Sequence, residues 1–218
     1  MRTVAFFDLD GTLLTVNSGA LWMRRERRVG RITRAQMAKA LVYLLGYRFG
    51  LIDMERAMQE ALTTIRGLPE ETVRGWTRAW FQEEVVPHAA PGGRAALDAH
   101  RRAGEPCVLL TSSSRYESEA ACEHFGLDGF IATRYAVEDG RFTGALVPPV
   151  CAGQGKVVWA ERYAAEHGVD LGASAFYTDS ITDLPMLLRV GRPRVVMPDP
   201  RLRREARRRG WEIQDWRG

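Results

Sequence analysis

The apolar run Val4-Ala5-Phe6-Phe7 leads straight into Asp8-Leu9-Asp10-Gly11-Thr12, and no other junction constrains this chain as tightly. The run reads as a buried strand. Two carboxylates one residue apart at its tip, followed by a Gly-Thr turn, are costly to build. Alternation along a strand sends the two side chains to opposite faces, but a bend at Gly11 can return Asp10 to the same space. Close carboxylates repel unless a cation or a shared proton relieves them, so such pairs mark metal or acid–base sites. The plainer reading is a turn after an edge strand, since Asp-Gly is a common turn dipeptide. Position favours the first reading, because ligands of open α/β sheets bind beyond the carboxyl ends of the strands.

After Thr12 the periodicity changes. Stretches over 18–29, 34–49, 53–65 and 70–84 carry apolar residues at three- and four-residue spacing, as helices do. Ser18, Thr33 and Asp53 suit N-caps, and Pro69 suits a first helical turn. Four helices inserted after the first strand cannot extend a sheet, so they predict a separate helical cap over 17–87. Residues 87–93 read as the return linker. Strands and helices then alternate: helix 94–103, strand 107–110, helix 116–125, strand 130–133, a hairpin turn over 137–142, helix 156–167, strand 175–178, helix 184–189 and strand 194–197. Alternation at this spacing predicts a parallel sheet with helices on both faces, built from 1–16 and 88–218.

Composition excludes several classes. With 45% hydrophobic and 27% charged residues the chain suits a soluble globular protein. It holds no run of about 20 apolar residues to span a bilayer. Met1-Arg2-Thr3 enters the first strand directly, so no signal peptide is expected. Three cysteines, 107, 122 and 151, form no Cys-x-x-Cys pair, and they predict a reduced, cytoplasmic setting. Of 31 lysines and arginines only Lys39 and Lys156 are lysines. In a chain that supplies Arg wherever a generic cation serves, a lysine at 156 stands out, because the two cations differ in shape and hydration.

Three more polar clusters fall at strand ends. Strand 107–110 delivers Thr111 and then Ser112, Ser113 and Ser114 before a helix. Hydroxyls at such a junction can bind an anion beside the helix amides, while Ser114 serves as the N-cap. Gly153-Gln154-Gly155-Lys156 lacks the spacing of a Walker phosphate loop. A lysine at a helix start opposes the helix dipole, which makes sense if Lys156 reaches an anion. Strand 175–178 delivers Asp179-Ser180-Ile181-Thr182-Asp183. With Asp8 and Asp10 this makes four acids, enough oxygen for one Mg²⁺ with retained waters. Four acids, one lysine and one hydroxyl at strand ends describe a site for a phosphate-bearing substrate.

In order and context, Asp8-Leu9-Asp10-Gly11-Thr12, Thr111, Lys156 and Asp179 through Asp183 resemble the four motifs of the haloacid dehalogenase superfamily phosphatases. The helical insert after the first motif and the Asp-Ser-x-x-Asp-Leu-Pro segment are most similar to the phosphoserine-phosphatase-like branch. The resemblance implies an α/β fold, a Rossmann-like parallel-sheet core with an inserted helical cap. It implies Asp8 as nucleophile and Asp10 as general acid and base. Mg²⁺ would be held by Asp8, the Asp10 carbonyl, Asp179 and Asp183, the last as ligand or behind the ligands. Thr111, Ser112 and Lys156 would hold phosphoryl oxygens, and Lys156 would also restrain Asp8. Departures fall where the branch recognises phosphoserine. Its acid for the substrate amine aligns with Asn17, and its cap arginine for the carboxylate aligns with Ala61. Its Ser-Gly-Gly run is Thr111-Ser112-Ser113, and the usual Asn before the last Asp is Thr182. The expected activity is therefore a Mg²⁺-dependent phosphomonoesterase for a small phosphate ester, histidinol phosphate leading and phosphoserine disfavoured. Asn17, Trp22 and Arg66 are candidates for the leaving group.

Other readings stand beside this one. The same site could transfer phosphoryl groups to an alcohol, or act on lipid-derived phosphates. Arginine runs at 24–28 and 201–209 suggest nucleic acid, but their interspersed Glu residues favour solvated helix faces, and no nucleic acid is expected. The run 40–49 is apolar with basic neighbours, as interfacial helices are, although packing within the cap or across a dimer is the favoured expectation. The chain is expected to be a monomer or homodimer.

Overall fold

The computed structural model describes residues 2–48 and 54–217. Strand β1 (Ala5–Phe7) is central, paired in parallel with β2 (Cys107–Ser114) on one side and β5 (Ala175–Thr178) on the other. Outward from β2 lie β3 (Gly129–Glu138) and antiparallel β4 (Arg141–Val147); outward from β5 lie β6 (Arg192–Val196) and β7 (Ile213–Gln214). The order is β4-β3-β2-β1-β5-β6-β7, parallel except at β4. Both faces of β1 are covered, as its unbroken apolar run requires. Phe7 joins a core with Leu109, Leu97, Trp80, Phe81 and Trp216, and Phe6 joins the opposite one with Val108, Leu110, Phe176 and Met186.

Helices α1 (Ser18–Arg28), α2 (Arg34–Arg48), α3 (Met54–Leu62) and α4 (Glu70–Trp80) lie between β1 and β2 and add no strand. α4 runs on through a wider turn, Phe81–Val85. The remaining helices are α5 (Pro91–Arg102), α6 (Arg115–Phe125), α7 (Gln154–His167), α8 (Leu184–Arg189) and α9 (Pro200–Arg209). Phe49 and Asp53, expected in helices, lie outside the described residues.

Several boundaries differ from expectation for physical reasons. Asn17, not Ser18, caps α1, its Oδ1 accepting from Ala20 N at 2.9 Å. Pro69 sits one residue earlier than expected, as the N-cap of α4. Helix α5 begins inside the expected linker at Pro91, whose fixed φ suits a first turn. Strand β2 continues through the hydroxyl run to Ser114, with its register to β3 slipping between Leu110 and Ser114. The arginine run 201–209 forms α9, capped by Asp199, and Glu205 pairs there with Arg208 and Arg209. No helix among the described residues is long and apolar enough to cross a membrane.

Candidate active site

Adjacent parallel strands end at the same edge, so β1, β2 and β5 deliver Asp8, Thr111 and Asp179 side by side; Asp8 N donates to Tyr177 O at 2.9 Å. Beyond Asp8 the chain turns over Leu9–Leu13, closed by Leu14 N on Leu9 O at 2.9 Å. Gly11 makes this turn with φ +70°, the left-handed region a side chain rarely adopts. Space also demands glycine: a Cβ there would stand 2.3 Å from Asp179 Oδ2. The Asp179 carboxylate therefore lies directly against the turn that carries Asp8 and Asp10.

Lys156 joins the acids. Helix α7 opens close against the preceding loop, since a Cβ on Gly155 would meet Val150 O at 1.9 Å. From the first turn, Lys156 Nζ donates to Asp8 Oδ1 at 3.0 Å and to Asp183 Oδ2 at 2.7 Å. The lysine is 2% exposed. Burial works against its charge, but Asp183 and Asp8 outweigh that and hold it above the ordinary lysine range. Thr178 Oγ1 donates to the same Asp183 oxygen at 2.7 Å. Asp183 thus fixes the lysine that fixes Asp8.

One lysine does not neutralise four acids. Burial raises Asp8 to about 7, with Asp183 adding to the rise and Lys156 opposing it. Burial and the neighbouring Asp8 and Asp183 charges raise Asp179 well above the usual carboxylate range. Asp10 is raised by burial and restrained by Ser18, whose N–H donates to its Oδ1 at 2.8 Å. Among the described residues no three His, Cys, Asp or Glu side chains form a cation cage by themselves. A cation at this cluster must then take further oxygen from backbone and water, which Mg²⁺ does.

A cavity of about 420 Å³ opens between this edge and the cap, within the range of small-ligand sites. Asp10, Ser112 and Ser113 reach it from the core, and Asn17, Trp22 and Ala61 from the cap. Asn17 is engaged already, its Nδ2 donating to Asp10 Oδ2 at 3.3 Å. Thr111 is buried, its Oγ1 accepting from Ser113 N at 3.1 Å. Arg66 does not line this cavity; its stem packs on β4, within 3.2–3.3 Å of where a Gly144 Cβ would lie. The conformation around Gly67 (φ +79°) turns the chain there toward the β3–β4 hairpin, where Gly67 N donates to Phe142 O at 2.8 Å.

Glu117, on the first turn of α6, also lines the cavity and went unnoticed in the sequence. Ser114-Arg115-Tyr116-Glu117 has the spacing of a helix capping box, which disguises it. Only half the box forms: Glu117 N donates to Ser114 Oγ at 3.2 Å, while the buried Glu117 Oε1 accepts no hydrogen bond within normal distance among the described residues. Burial and then the Asp10 charge raise this carboxyl to about 8, the Ser18 and Ser113 hydroxyls pulling the other way.

Comparison with known proteins agrees with this arrangement. Residues 5–188 match the family model of the haloacid dehalogenase-like hydrolases. The chain is 28% identical to a histidinol-phosphatase of Neisseria meningitidis serogroup C (strain 8013), over all of both chains. It is 31% identical to a phosphoserine phosphatase of Mycobacterium tuberculosis (strain H37Rv), covering 100% of this chain and 72% of that one. A crystal structure of a protein of unknown function from Bordetella pertussis Tohama I superposes with a TM-score of 0.89 at 30% identity, covering 99% of each chain. The strand-end acids, the buried lysine and these relatives converge: the chain belongs to the haloacid dehalogenase-like hydrolases, with phosphatases among its relatives.

Proposed function

We propose that the chain hydrolyses a small phosphate monoester in two steps through an aspartyl-phosphate on Asp8. The observation that carries this is the Asp8 carboxylate held by Lys156 at the end of the central strand, beside a cavity that Asp10 and Ser112 enter. In the first step an Asp8 oxygen attacks phosphorus and the ester P–O bond breaks. The Asp10 carboxyl gives its proton to the departing alkoxide. In the second, Asp10 takes a proton from water as that water attacks phosphorus, releasing inorganic phosphate and restoring Asp8. Ser18 N–H and Asn17 Nδ2 hold Asp10 for both transfers. Thr111, Ser112 and Lys156 take the phosphoryl oxygens.

The donor set suits Mg²⁺: hard oxygens from Asp8, Asp179 and the Asp10 carbonyl, with Asp183 behind them through Lys156. When bound, the ion offsets the repulsion between an anionic nucleophile and an anionic substrate. Residues 17–87 act as a cap that excludes water and selects the leaving group, over a core of 1–16 and 88–218. The substrate we favour is histidinol phosphate over phosphoserine. Asn17 and Ala61 line the cavity without the acid and the arginine that phosphoserine would engage, and a full-length relative is named a histidinol-phosphatase. Three unpaired cysteines support a reducing, cytoplasmic setting.

The test is phosphate release from a panel of esters with Mg²⁺, in water and with an added alcohol acceptor. Hydrolysis led by histidinol phosphate is expected, with none from Asp8→Asn. Turnover by Asp8→Asn rejects the covalent route, and phosphoserine as best substrate by a wide margin rejects the reading of Asn17 and Ala61.

A further inference from the structure

We propose that Glu117 is the receptor for a positively charged leaving group, so that the alcohol released from this site carries a protonated amine or imidazolium. This rests on the phosphatase reading above and names the chemistry of its leaving group.

Glu117 is 8% exposed, lines the cavity that Asp10 enters, and keeps Oε1 buried without a hydrogen bond of normal length among the described residues. A buried polar atom left unpaired is costly, and a charged one more so. The Ser18 and Ser113 hydroxyls favour the charged form of the carboxyl, but they are neutral and cannot balance that charge. The capping role is filled by the Ser114 hydroxyl and the Glu117 N–H, and the carboxyl takes no part in it. Two arginines close by serve other acids. Arg31, in the same wall, donates to Glu26 at 2.9 Å and stacks on Trp76 at 3.6 Å. Arg74, over the Tyr116 ring, is held by Glu70, Glu71 and Glu119.

A ligand cation supplies what these neutral hydroxyls do not. It restores the Glu117 charge, which burial and Asp10 disfavour, and forms a charge-assisted hydrogen bond in a desolvated place. Tyr135 lines the same cavity. The location fits the leaving group and not the phosphate. A carboxylate repels the phosphoryl oxygens, which Thr111, Ser112 and Lys156 would hold, and Glu117 shares the cavity with Asp10, the residue that protonates the departing alcohol.

The test compares wild type with Glu117→Gln, which keeps size and hydrogen bonding and removes the charge, and with Glu117→Asp, which keeps the charge. Two readouts are used. One is the ratio of kcat/KM for histidinol phosphate to that for p-nitrophenyl phosphate, whose leaving group carries no cation. The other is calorimetric binding of histidinol itself. In Glu117→Gln the ratio is expected to fall at least tenfold and histidinol binding to weaken similarly, with partial recovery in Glu117→Asp. A ratio unchanged within about twofold, or histidinol bound equally well by Glu117→Gln, overturns the proposal. Failure of the phosphatase reading looks different: wild type releases phosphate from neither ester, while a Glu117-dependent affinity for histidinol still upholds the receptor.

Discussion

Replacing Gly11 with alanine tests the placement of the acids. The new methyl would stand 2.3 Å from Asp179 Oδ2 and 2.5 Å from Cγ, where ordinary contact begins at 3.4 Å. The Asp179 carboxylate must therefore retreat by about 1 Å, a misplacement that can lower turnover roughly 100-fold. The left-handed φ of +70° adds a strain of about 1–2 kcal/mol. Strain and displacement can be separated, because Gly104 has the same φ of +70°, and among the described residues a Cβ there would meet nothing beyond its chain neighbours within 4 Å. Gly104→Ala is expected to lower the melting temperature by roughly 2–8 °C and leave turnover intact. Gly11→Ala is expected to lose at least as much stability and about two orders of magnitude in kcat/KM for p-nitrophenyl phosphate. Circular dichroism melts and phosphate release with saturating Mg²⁺ read the two effects. If Gly11→Ala keeps activity within a few-fold of Gly104→Ala, then Asp179 is not held where the chemistry needs it.

Three further outcomes follow from named contacts. Lys156→Met leaves Asp8 and Asp183 buried without their shared cation and should cost about 3–5 kcal/mol in urea unfolding at pH 7; a loss under about 1 kcal/mol would contradict the ion-pair reading. Mg²⁺ at a hundredfold excess over its Kd should stabilise the wild type by about 2.7 kcal/mol, and chelation or Asp179→Asn should remove that increment in a melting assay. At the opposite edge of the sheet, burial tends to raise Glu105, but Arg192, His100 and Thr3 outweigh it and lower the carboxyl from 4.5 to about 2. The folded state therefore binds the proton less readily than the unfolded one, so this stabilisation is present above pH 4.5 and is lost as pH falls toward 2. Acid titration of stability should accordingly show the gap between wild type and Glu105→Gln shrinking across that window.

Much of the fold is legible because local rules and tertiary packing agree. Strand β5 and helix α8 occupy their expected residues, and Ser114 caps α6 as its hydroxyl suggests. Thr33 does cap α2, accepting from Gln36 N at 3.2 Å while Gln36 returns the bond. Disagreements arise where two short signals compete. Asn17 and Ser18 are both good caps, and the Asp10 carboxylate decides between them by accepting from Ser18 N and Asn17 Nδ2. The hydroxyl run 111–114 reads as a junction, yet pairing with β3 keeps it in the strand. Arg66 reads as a candidate for the leaving group, whereas its stem packs against Gly144 on β4.

From its residues alone the chain specifies a buried strand ending in acids, later strands ending in hydroxyl and acid, and a lysine out of character with its arginine-rich surroundings. Those are properties of short segments, and short segments carry them. Tertiary structure alone decides that Asp183 reaches Asp8 through Lys156, that Asp179 abuts Gly11, and that a capping glutamate leaves its cap to face the cavity. These relations join residues up to about 170 positions apart, and only the parallel register of β1, β2 and β5 brings them to one edge.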